Sequence, residues 1–375
     1  MRVFALLLIL LGTAFSQLHA SEPTAATLPQ AIAATDAHLL YSGRWDKTDA
    51  KGPRCEWPAG TVRMNLTGSA LEIALKGGKG HAFQVVVDGK PTSVITLVDG
   101  QSVYPVVADL PAGPHAIELC KRTECWGGPV QILGFHASAD VKLLAPPVFI
   151  RKIEFMGDSI TCGYGNEAEN EKVHFSFATE NAWLAWGAVT ARALNAELAV
   201  EAVSGIWLME HGKDLPLPGR WDRVLPMSGE TKYDLASWQP DVVVINLGTN
   251  DSGKPIDPEK WTAAYRAFIG KIRAAYPKTE IFLTIGPMGH GPGGVIPKLN
   301  DALVAELNKA GETKVHAVAL ANQDGGKNGL GADWHPSIKT HQLMADQIVA
   351  AIRPVLGWKE GSVEQDQGHV ERGGK

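Results

Sequence analysis

The sequence has few cysteines, little net charge and no cofactor signature. Its 375 residues include four cysteines, which lack the paired Cys-x-x-Cys clusters that tetrahedral zinc usually uses, so we predict no metal site. The net charge of −5 and the pI near 6.2 give no polybasic surface for nucleic acid or anionic lipid. No phosphate loop or cofactor fingerprint is present, and we expect no cofactor. An uncharged or small substrate is therefore the expected partner.

Only one long apolar run is present, and it lies at the N-terminus. Residues 1–20 have the order of a signal peptide: Arg2, then an apolar core from Val3 to Phe15, then the small-residue site Leu18-His19-Ala20. A membrane anchor is the competing interpretation, but the run is short for a bilayer and no second one follows. We predict export with cleavage, to the periplasm or outside the cell, with no membrane contact afterwards.

Export would permit a disulfide. Cys55 could pair with Cys120 or Cys125 within the N-terminal region. Cys162 is predicted to stay a free, packed thiol.

An all-β domain is predicted for residues 38–145. It follows a small, alanine-rich stretch, 21–37, that we interpret as a linker. Alternating runs such as 82–89, separated by glycine, proline and aspartate, are typical of a β-sandwich or jelly roll. Asp88-Gly89 is a hairpin signal. Ala145-Pro146-Pro147 ends the pattern and marks a domain boundary.

An α/β domain is predicted for residues 148–356, where buried strands alternate with amphipathic helices. This alternation predicts a parallel sheet covered on both faces, with the active site beyond the carboxyl ends of the strands. The candidate strands are 152–156, 197–203, 241–247, 280–286 and 315–320, and the candidate helices are 180–194, 258–276, 296–310 and 338–353. Residues 359–375 are charged and without apolar periodicity, which predicts a disordered tail.

Ser159 is the first candidate nucleophile. An apolar run ends in Gly157-Asp158-Ser159, and the glycine-rich turn after it would bring the hydroxyl to the rim of the sheet. The Gly-x-Ser-x-Gly elbow of common α/β-hydrolases is absent, because Thr161 stands where that motif needs glycine. Taken alone, the tripeptide is more typical of a plain turn than of a nucleophile. Asp158 is predicted to fix the turn by accepting backbone hydrogen bonds.

Three further sites support the serine. Gly205 follows a predicted strand and leaves its backbone N–H open to a ligand, although a turn glycine is the alternative. Asn250 offers a neutral amide donor suited to an oxyanion, with helix capping as the alternative. His335, preceded by Asp333 and followed by Pro336, is a candidate general base.

These blocks in this order resemble those of the SGNH, or GDSL-like, hydrolases over residues 150–355. The segments Tyr41–Trp45, Lys121–Glu124 and Gly134-Phe135 further resemble carbohydrate esterase family 2. Members of that family join a jelly roll to an SGNH domain and remove acetyl groups from plant polysaccharides. The resemblance implies an all-β jelly roll followed by a three-layer α/β/α domain with a parallel sheet.

The resemblance also implies the roles of individual residues. Ser159 would be the nucleophile and His335 its base, while the N–H groups of Ser159 and Gly205 and the amide of Asn250 would form an oxyanion hole. Many related enzymes place an acid three residues before the histidine, where this chain has Ala332. Asp333, two residues before, is the expected third member of a triad, and a backbone carbonyl that orients the imidazole is the alternative.

The expected function is that of a secreted carbohydrate O-acetylesterase acting on xylan or mannan through an acetyl-enzyme intermediate. Eleven tryptophans are present, and we expect Trp207 and Trp334 to contact sugar rings, with core packing as the alternative. Two other functions remain open: an esterase for another acetylated glycan, such as peptidoglycan or an exopolysaccharide, and a non-catalytic carbohydrate-binding protein.

Overall fold

A computed structural model of the chain describes residues 27–210, 212, 214–229 and 231–359. The expected signal peptide, residues 1–20, and all but the first residue of the expected tail, 359–375, lie outside the described residues. Among the residues that are described, no helix is long and apolar enough to cross a membrane.

An antiparallel β domain comes first, as predicted. Its strands in the described chain are β1 Gln30–Ala33, β2 Leu40–Ser42, β3 Arg54–Cys55, β4 Thr61–Thr67, β5 Leu71–Lys76, β6 Ala82–Val87, β7 Lys90–Thr96, β8 Val103–Val107, β9 Pro114–Lys121, β10 Val130–Ala137 and β11 Lys142–Leu143. One sheet has the order β1-β10-β5-β8, with β3 also on β10, and the other has the order β11-β4-β9-β6-β7, with β2 also on β4. Asp88 and Gly89 form the predicted hairpin turn, with φ of 50° and 75° between β6 and β7.

The predicted linker 21–37 is partly wrong. Gln30–Ala33 form β1, which pairs antiparallel with β10 from Gln30 opposite Ala137 to Ala33 opposite Gly134. Ile32 is the reason, because its side chain is buried in the core at 6% exposure while its neighbours Ala31 and Ala33 face solvent. One apolar residue in an alanine-rich stretch gives too little periodicity to predict a strand.

The α/β domain contains a parallel sheet with the order β13-β12-β14-β15-β16. Its strands are β12 Lys152–Gly157, β13 Glu197–Ala202, β14 Val242–Asn246, β15 Glu280–Ile285 and β16 Val315–Ala319, and its helices are α1 Ser159–Cys162, α2 Trp186–Ala193, α3 Leu217–Arg220, α4 Pro258–Ala275, α5 Val295–Lys309, α6 Gly325–Asn328 and α7 Ile338–Leu356. Every predicted strand is confirmed to within one residue at each end. The helix predicted at 180–194 starts later, at Trp186, because the Asn181 side chain accepts the Trp183 N–H at 3.1 Å and holds a turn there.

Alternate residues of β12, an inner strand of this sheet, face opposite layers. Ile153 and Phe155 of β12 belong to the core shared with α2 and α7. Met156 belongs to the core shared with α4 and α5, and that core continues into the β domain. The sheet is therefore covered on both faces, as predicted, and the two domains share one hydrophobic interior.

The possible disulfide is not formed, since all four cysteines are free and buried. Cys55 lies on β3 opposite Val130 of one sheet, whereas Cys120 lies on β9 opposite Thr61 of the other. Burial raises the pKa of the Cys55 and Cys120 thiols to about 12, so both stay protonated. The prediction for Cys162, a free packed thiol, is confirmed.

Candidate active site

Ser159 stands at the first position of α1, directly after the end of β12. Asp158 caps this helix: its Oδ1 accepts the Ile160 N–H at 3.0 Å, which confirms its predicted role in the turn. A side chain at Gly157 would collide with Thr161, so only glycine fits the end of the strand. The Asp158 carboxyl is fully buried, and this burial raises its pKa to about 7.

His335 contacts the serine. Its Nε2 lies 2.9 Å from Ser159 Oγ, and its Nδ1 lies 3.2 Å from the carbonyl oxygens of both Ala332 and Asp333. A carbonyl oxygen can only accept, so Nδ1 carries the hydrogen and Nε2 is left to accept the serine proton. Burial lowers the pKa of His335, which keeps the imidazole neutral near pH 7. This pair has the geometry of a nucleophile and its general base.

A strained turn brings the two carbonyls to the imidazole. Asp333 and Trp334 both adopt left-handed backbone conformations, with φ of 48° and 62°. Left-handed geometry is uncommon for residues other than glycine and is unfavourable for a bulky tryptophan. Backbone strain in the two residues before His335 is typical of a functional site.

The expected hydrogen bond between the Asp333 carboxylate and His335 is not formed, so the predicted triad is wrong for this structure. Asp333 Oδ2 accepts the Tyr164 hydroxyl and the Phe175 N–H, each at 2.9 Å, and Oδ1 lies 2.8 Å from His174 Nδ1. The left-handed turn directs the Asp333 carbonyl, rather than its carboxylate, toward the imidazole. The alternative of a carbonyl-oriented histidine is the arrangement observed.

Tyr164 is a site residue that the sequence analysis missed. Its ring stacks on His335 with the centroids 4.0 Å apart, and Phe175 stacks on its other side at 4.2 Å. A side chain at Gly165 would collide with Ala332, so the tyrosine loop and the histidine loop pack closely. The only available signal was the position of Tyr164 between two glycines, five residues after Ser159.

The three predicted oxyanion donors follow neighbouring strands. Gly157 of β12 pairs with Ala202 of β13 and with Asn246 of β14, so the loops after these strands emerge side by side. Gly205 is exposed, with φ of 80°. Asn250 does not cap a helix with its side chain.

The Asn250 side chain is fixed beside the Gly205 turn. Its Nδ2 donates to the Ile206 carbonyl at 2.8 Å. An amide nitrogen carries two hydrogens, so one remains for a ligand. The neighbouring Asp251 holds the same loop by accepting the N–H groups of Leu208 at 3.0 Å and Met209 at 2.9 Å.

The two predicted sugar-contact tryptophans differ in exposure. Trp334 is 60% exposed beside His335, whereas Trp207 is partly buried. Trp183 and Trp186, in contrast, are core residues at 7% and 0% exposure. Core packing is therefore not the role of Trp334, and its indole face is open to a ligand.

One group of residues in the described chain has the ligand types and closeness that a metal needs. Oxygen or sulfur atoms of Glu124, Cys162 and Glu180 lie within 4.8 Å of one another, and all three residues are buried. Both Glu124 oxygens already accept hydrogen bonds from Ser204. The nearby Lys121 Nζ donates to the Glu124 carbonyl at 2.9 Å, and burial lowers the pKa of this lysine.

Comparison with known families matches both domains separately. The family described as "Carbohydrate esterase 2 N-terminal" matches residues 41–147, and the "GDSL-like Lipase/Acylhydrolase family" matches residues 155–343. A solved family two carbohydrate esterase from Clostridium thermocellum, in complex with cellohexaose, has a TM-score of 0.81 and 41% identity, covering 86% of this chain and 100% of that one.

Two curated proteins are also similar. The cellulase/esterase CelE of Acetivibrio thermocellus is 41% identical over 325 residues, which are 85% of this chain but only 40% of that protein. An acetylxylan esterase / glucomannan deacetylase of Cellvibrio japonicus is 29% identical over 321 residues, covering 80% of this chain and 85% of that protein.

Proposed function

We propose that this chain, which belongs to family 2 of the carbohydrate esterases and carries a GDSL-like acylhydrolase domain, hydrolyses acetyl esters on plant polysaccharides such as xylan or glucomannan. The single observation that carries the proposal is the distance of 2.9 Å between His335 Nε2 and Ser159 Oγ, with His335 Nδ1 held by two carbonyls. A glycan-binding protein has no need of a serine paired in this way with a neutral base.

The reaction proceeds in two half-reactions. Ser159 Oγ attacks the acetyl carbon while its proton moves to His335 Nε2, and the bond to the sugar oxygen then breaks as that oxygen takes the proton. Ser159 is left acetylated. Water next gives a proton to Nε2 and attacks the acetyl carbon, after which Ser159 Oγ recovers that proton and acetic acid leaves, releasing its own proton to solvent to become acetate. The carbonyls of Ala332 and Asp333 keep the imidazole in the required tautomer throughout.

The negative charge that develops on the acetyl oxygen is stabilised by N–H donors. The Ser159 N–H lies at the first position of α1, where no earlier helical turn supplies an acceptor. The exposed Gly205 N–H and the second hydrogen of the Asn250 amide complete the hole. Loss of one such donor costs about 10²–10³ in turnover in serine proteases.

Two observations support a polysaccharide substrate. A similar family two carbohydrate esterase was solved in complex with cellohexaose, a chain of sugars, and a curated relative is named acetylxylan esterase / glucomannan deacetylase. Trp334 presents an open indole beside His335, and aromatic faces pack well on the apolar faces of sugars.

We also propose export from the cell, because residues 1–20 have the order of a signal peptide. Fractionation of cells that express the chain with and without this segment would test this proposal.

Acetate release from acetylated xylan, acetylated glucomannan and acetylated peptidoglycan tests the function, with wild type and Ser159→Ala side by side. We expect release from the two plant polysaccharides by wild type only. Release from peptidoglycan alone would keep the serine mechanism and refute the plant substrate. No release from any of them, with retention of the protein on xylan in affinity electrophoresis, would favour the binding protein.

A further inference from the structure

The β domain inserts a glutamate behind the candidate oxyanion hole. Glu124 is fully buried at 0% exposure. Its Oε2 accepts the backbone N–H of Ser204 at 2.7 Å, and its Oε1 lies 2.5 Å from the Ser204 hydroxyl. Ser204 immediately precedes Gly205, so one carboxylate holds both polar groups of the residue beside the proposed donor.

The contact with Glu124 anchors the middle of the turn from Val203 to Ile206. Val203 N–H donates to the Gly157 carbonyl and Ile206 N–H to the Val203 carbonyl, each at 3.2 Å, which fixes the two ends of the turn. Gly205 lies between these ends with φ of 80° and no side chain to hold it. The direction of its N–H depends on the preceding peptide, which is anchored through Ser204.

We infer that Glu124 is a positioning residue for the oxyanion hole, through which the β domain sets the direction of the Gly205 N–H. This inference rests on the proposed function, because it assumes the oxyanion role of Gly205. Glu124 also approaches the nucleophile helix, since Cys162 Sγ of α1 lies 3.7 Å from its Oε2. A single side chain thus contacts both segments that carry the backbone donors.

The position of Glu124 is itself fixed on both sides. Its backbone N–H donates to Glu180 Oε2 at 3.0 Å, and its carbonyl accepts from Lys121 Nζ at 2.9 Å. Burial raises the pKa of Glu124, and the Ser204 hydrogen bonds and Lys121 oppose this rise. The Ser204 hydroxyl can donate or accept, so the contact survives in either protonation state.

This geometry predicts different outcomes for two substitutions. Glu124→Gln keeps an acceptor for the Ser204 N–H and gains a donor for the Ser204 hydroxyl, so kcat should stay within about threefold of wild type. Glu124→Leu removes both contacts, and kcat should fall about 10- to 100-fold while KM changes little, because a misdirected donor weakens transition-state binding only. Inhibition by an alkylboronic acid, whose tetrahedral adduct on Ser159 needs the same donors, should weaken by a similar factor.

Glu56 provides a matched control from the same domain. It too is fully buried, and it accepts the N–H groups of Met227 at 2.9 Å and Ser228 at 3.1 Å, as well as the Ser228 hydroxyl. Its loop carries none of the candidate catalytic groups. Glu56→Leu should lower the melting temperature as Glu124→Leu does, yet leave kcat and boronate inhibition unchanged.

The assay separates failure of this inference from failure of the proposed function. If wild type hydrolyses p-nitrophenyl acetate and Ser159→Ala does not, the function stands. An unchanged kcat in a folded Glu124→Leu variant would then overturn the positioning role alone. If Glu124→Leu does not fold, Ser204→Ala, which removes only the hydroxyl contact, should still lower kcat about threefold to tenfold, and an unchanged value would also overturn it. Loss of activity in EDTA that zinc restores would assign Glu124 to a metal instead and refute the inference.

Discussion

Replacement of Asp333 by asparagine distinguishes a carbonyl-held dyad from a catalytic triad. The substitution removes the negative charge but keeps the backbone carbonyl that lies 3.2 Å from His335 Nδ1. It also keeps a side-chain oxygen for the Tyr164 hydroxyl, and asparagine tolerates the left-handed backbone found here, with φ of 48°. The perturbation is therefore close to a pure loss of charge.

The expected loss of activity is small. The Asp333 side chain is 26% exposed, and a charge interaction between partly solvated groups is worth about 1 kcal/mol. Removing it should lower kcat about fivefold, since 1.4 kcal/mol corresponds to a factor of ten. A triad acid that holds the histidine tautomer would instead cost about 10⁴.

The assay is steady-state hydrolysis of p-nitrophenyl acetate across pH, with Ser159→Ala as the baseline. The Asp333 charge raises the pKa of His335, so in Asp333→Asn the acidic limb of kcat/KM should move to lower pH. A drop of 10³ or more in a variant with the wild-type melting temperature would refute the carbonyl-held dyad.

Three further outcomes are expected. His335 acts as a base only when neutral, and burial lowers its pKa. The pH at which kcat/KM of wild type falls to half its maximum should therefore lie below about 6.5, the ordinary histidine pKa; a midpoint above 7 would contradict this. Asn250→Ala removes an oxyanion donor and the anchor to the Ile206 carbonyl, so kcat should fall about 10²–10³ with KM little changed, whereas an equal rise in KM would indicate a ground-state role. Tyr164→Phe keeps the ring on the imidazole but removes the hydroxyl bond to Asp333, so chemical denaturation should show a loss of about 1 kcal/mol, with kcat within a few-fold of wild type.

The parallel sheet could be predicted from the sequence because its strands are buried on both faces. Val242–Asn246 is a continuous apolar run ending in a polar residue, and all five of its side chains are buried in the structure. The positions of Ser159, Gly205 and Asn250 then followed from strand ends alone. The burial of a strand and the position of its end depend on neighbouring residues, so a window of a few residues is enough to predict both.

The residues that escaped prediction depend on distant contacts or on one backbone angle. Asp333 is two residues from His335 in sequence, yet a φ of 48° directs its carboxylate to Tyr164 and Phe175. Glu124 reaches Ser204 across 80 positions, and no window of the sequence contains both. Counting cysteines likewise allowed a bridge from Cys55 to Cys120 or Cys125, but all four thiols are free in the structure.

Charges buried between the two domains make them one unit. Arg44 of the β domain donates to Glu154 Oε1 on β12 at 2.6 Å, and its Nε lies 3.0 Å from Glu201 Oε1 on β13, with all three side chains at 2% exposure or less. Burial raises the pKa of Glu201 well above its usual range, and the Arg44 guanidinium opposes this rise. Removing the Arg44 guanidinium alone would leave Glu154 buried without its ion-pair partner, and breaking such a pair costs about 3–5 kcal/mol. The same domain also brings Glu124 to Ser204, next to Gly205, so under the proposed function we expect removal of the β domain to impair both folding and catalysis.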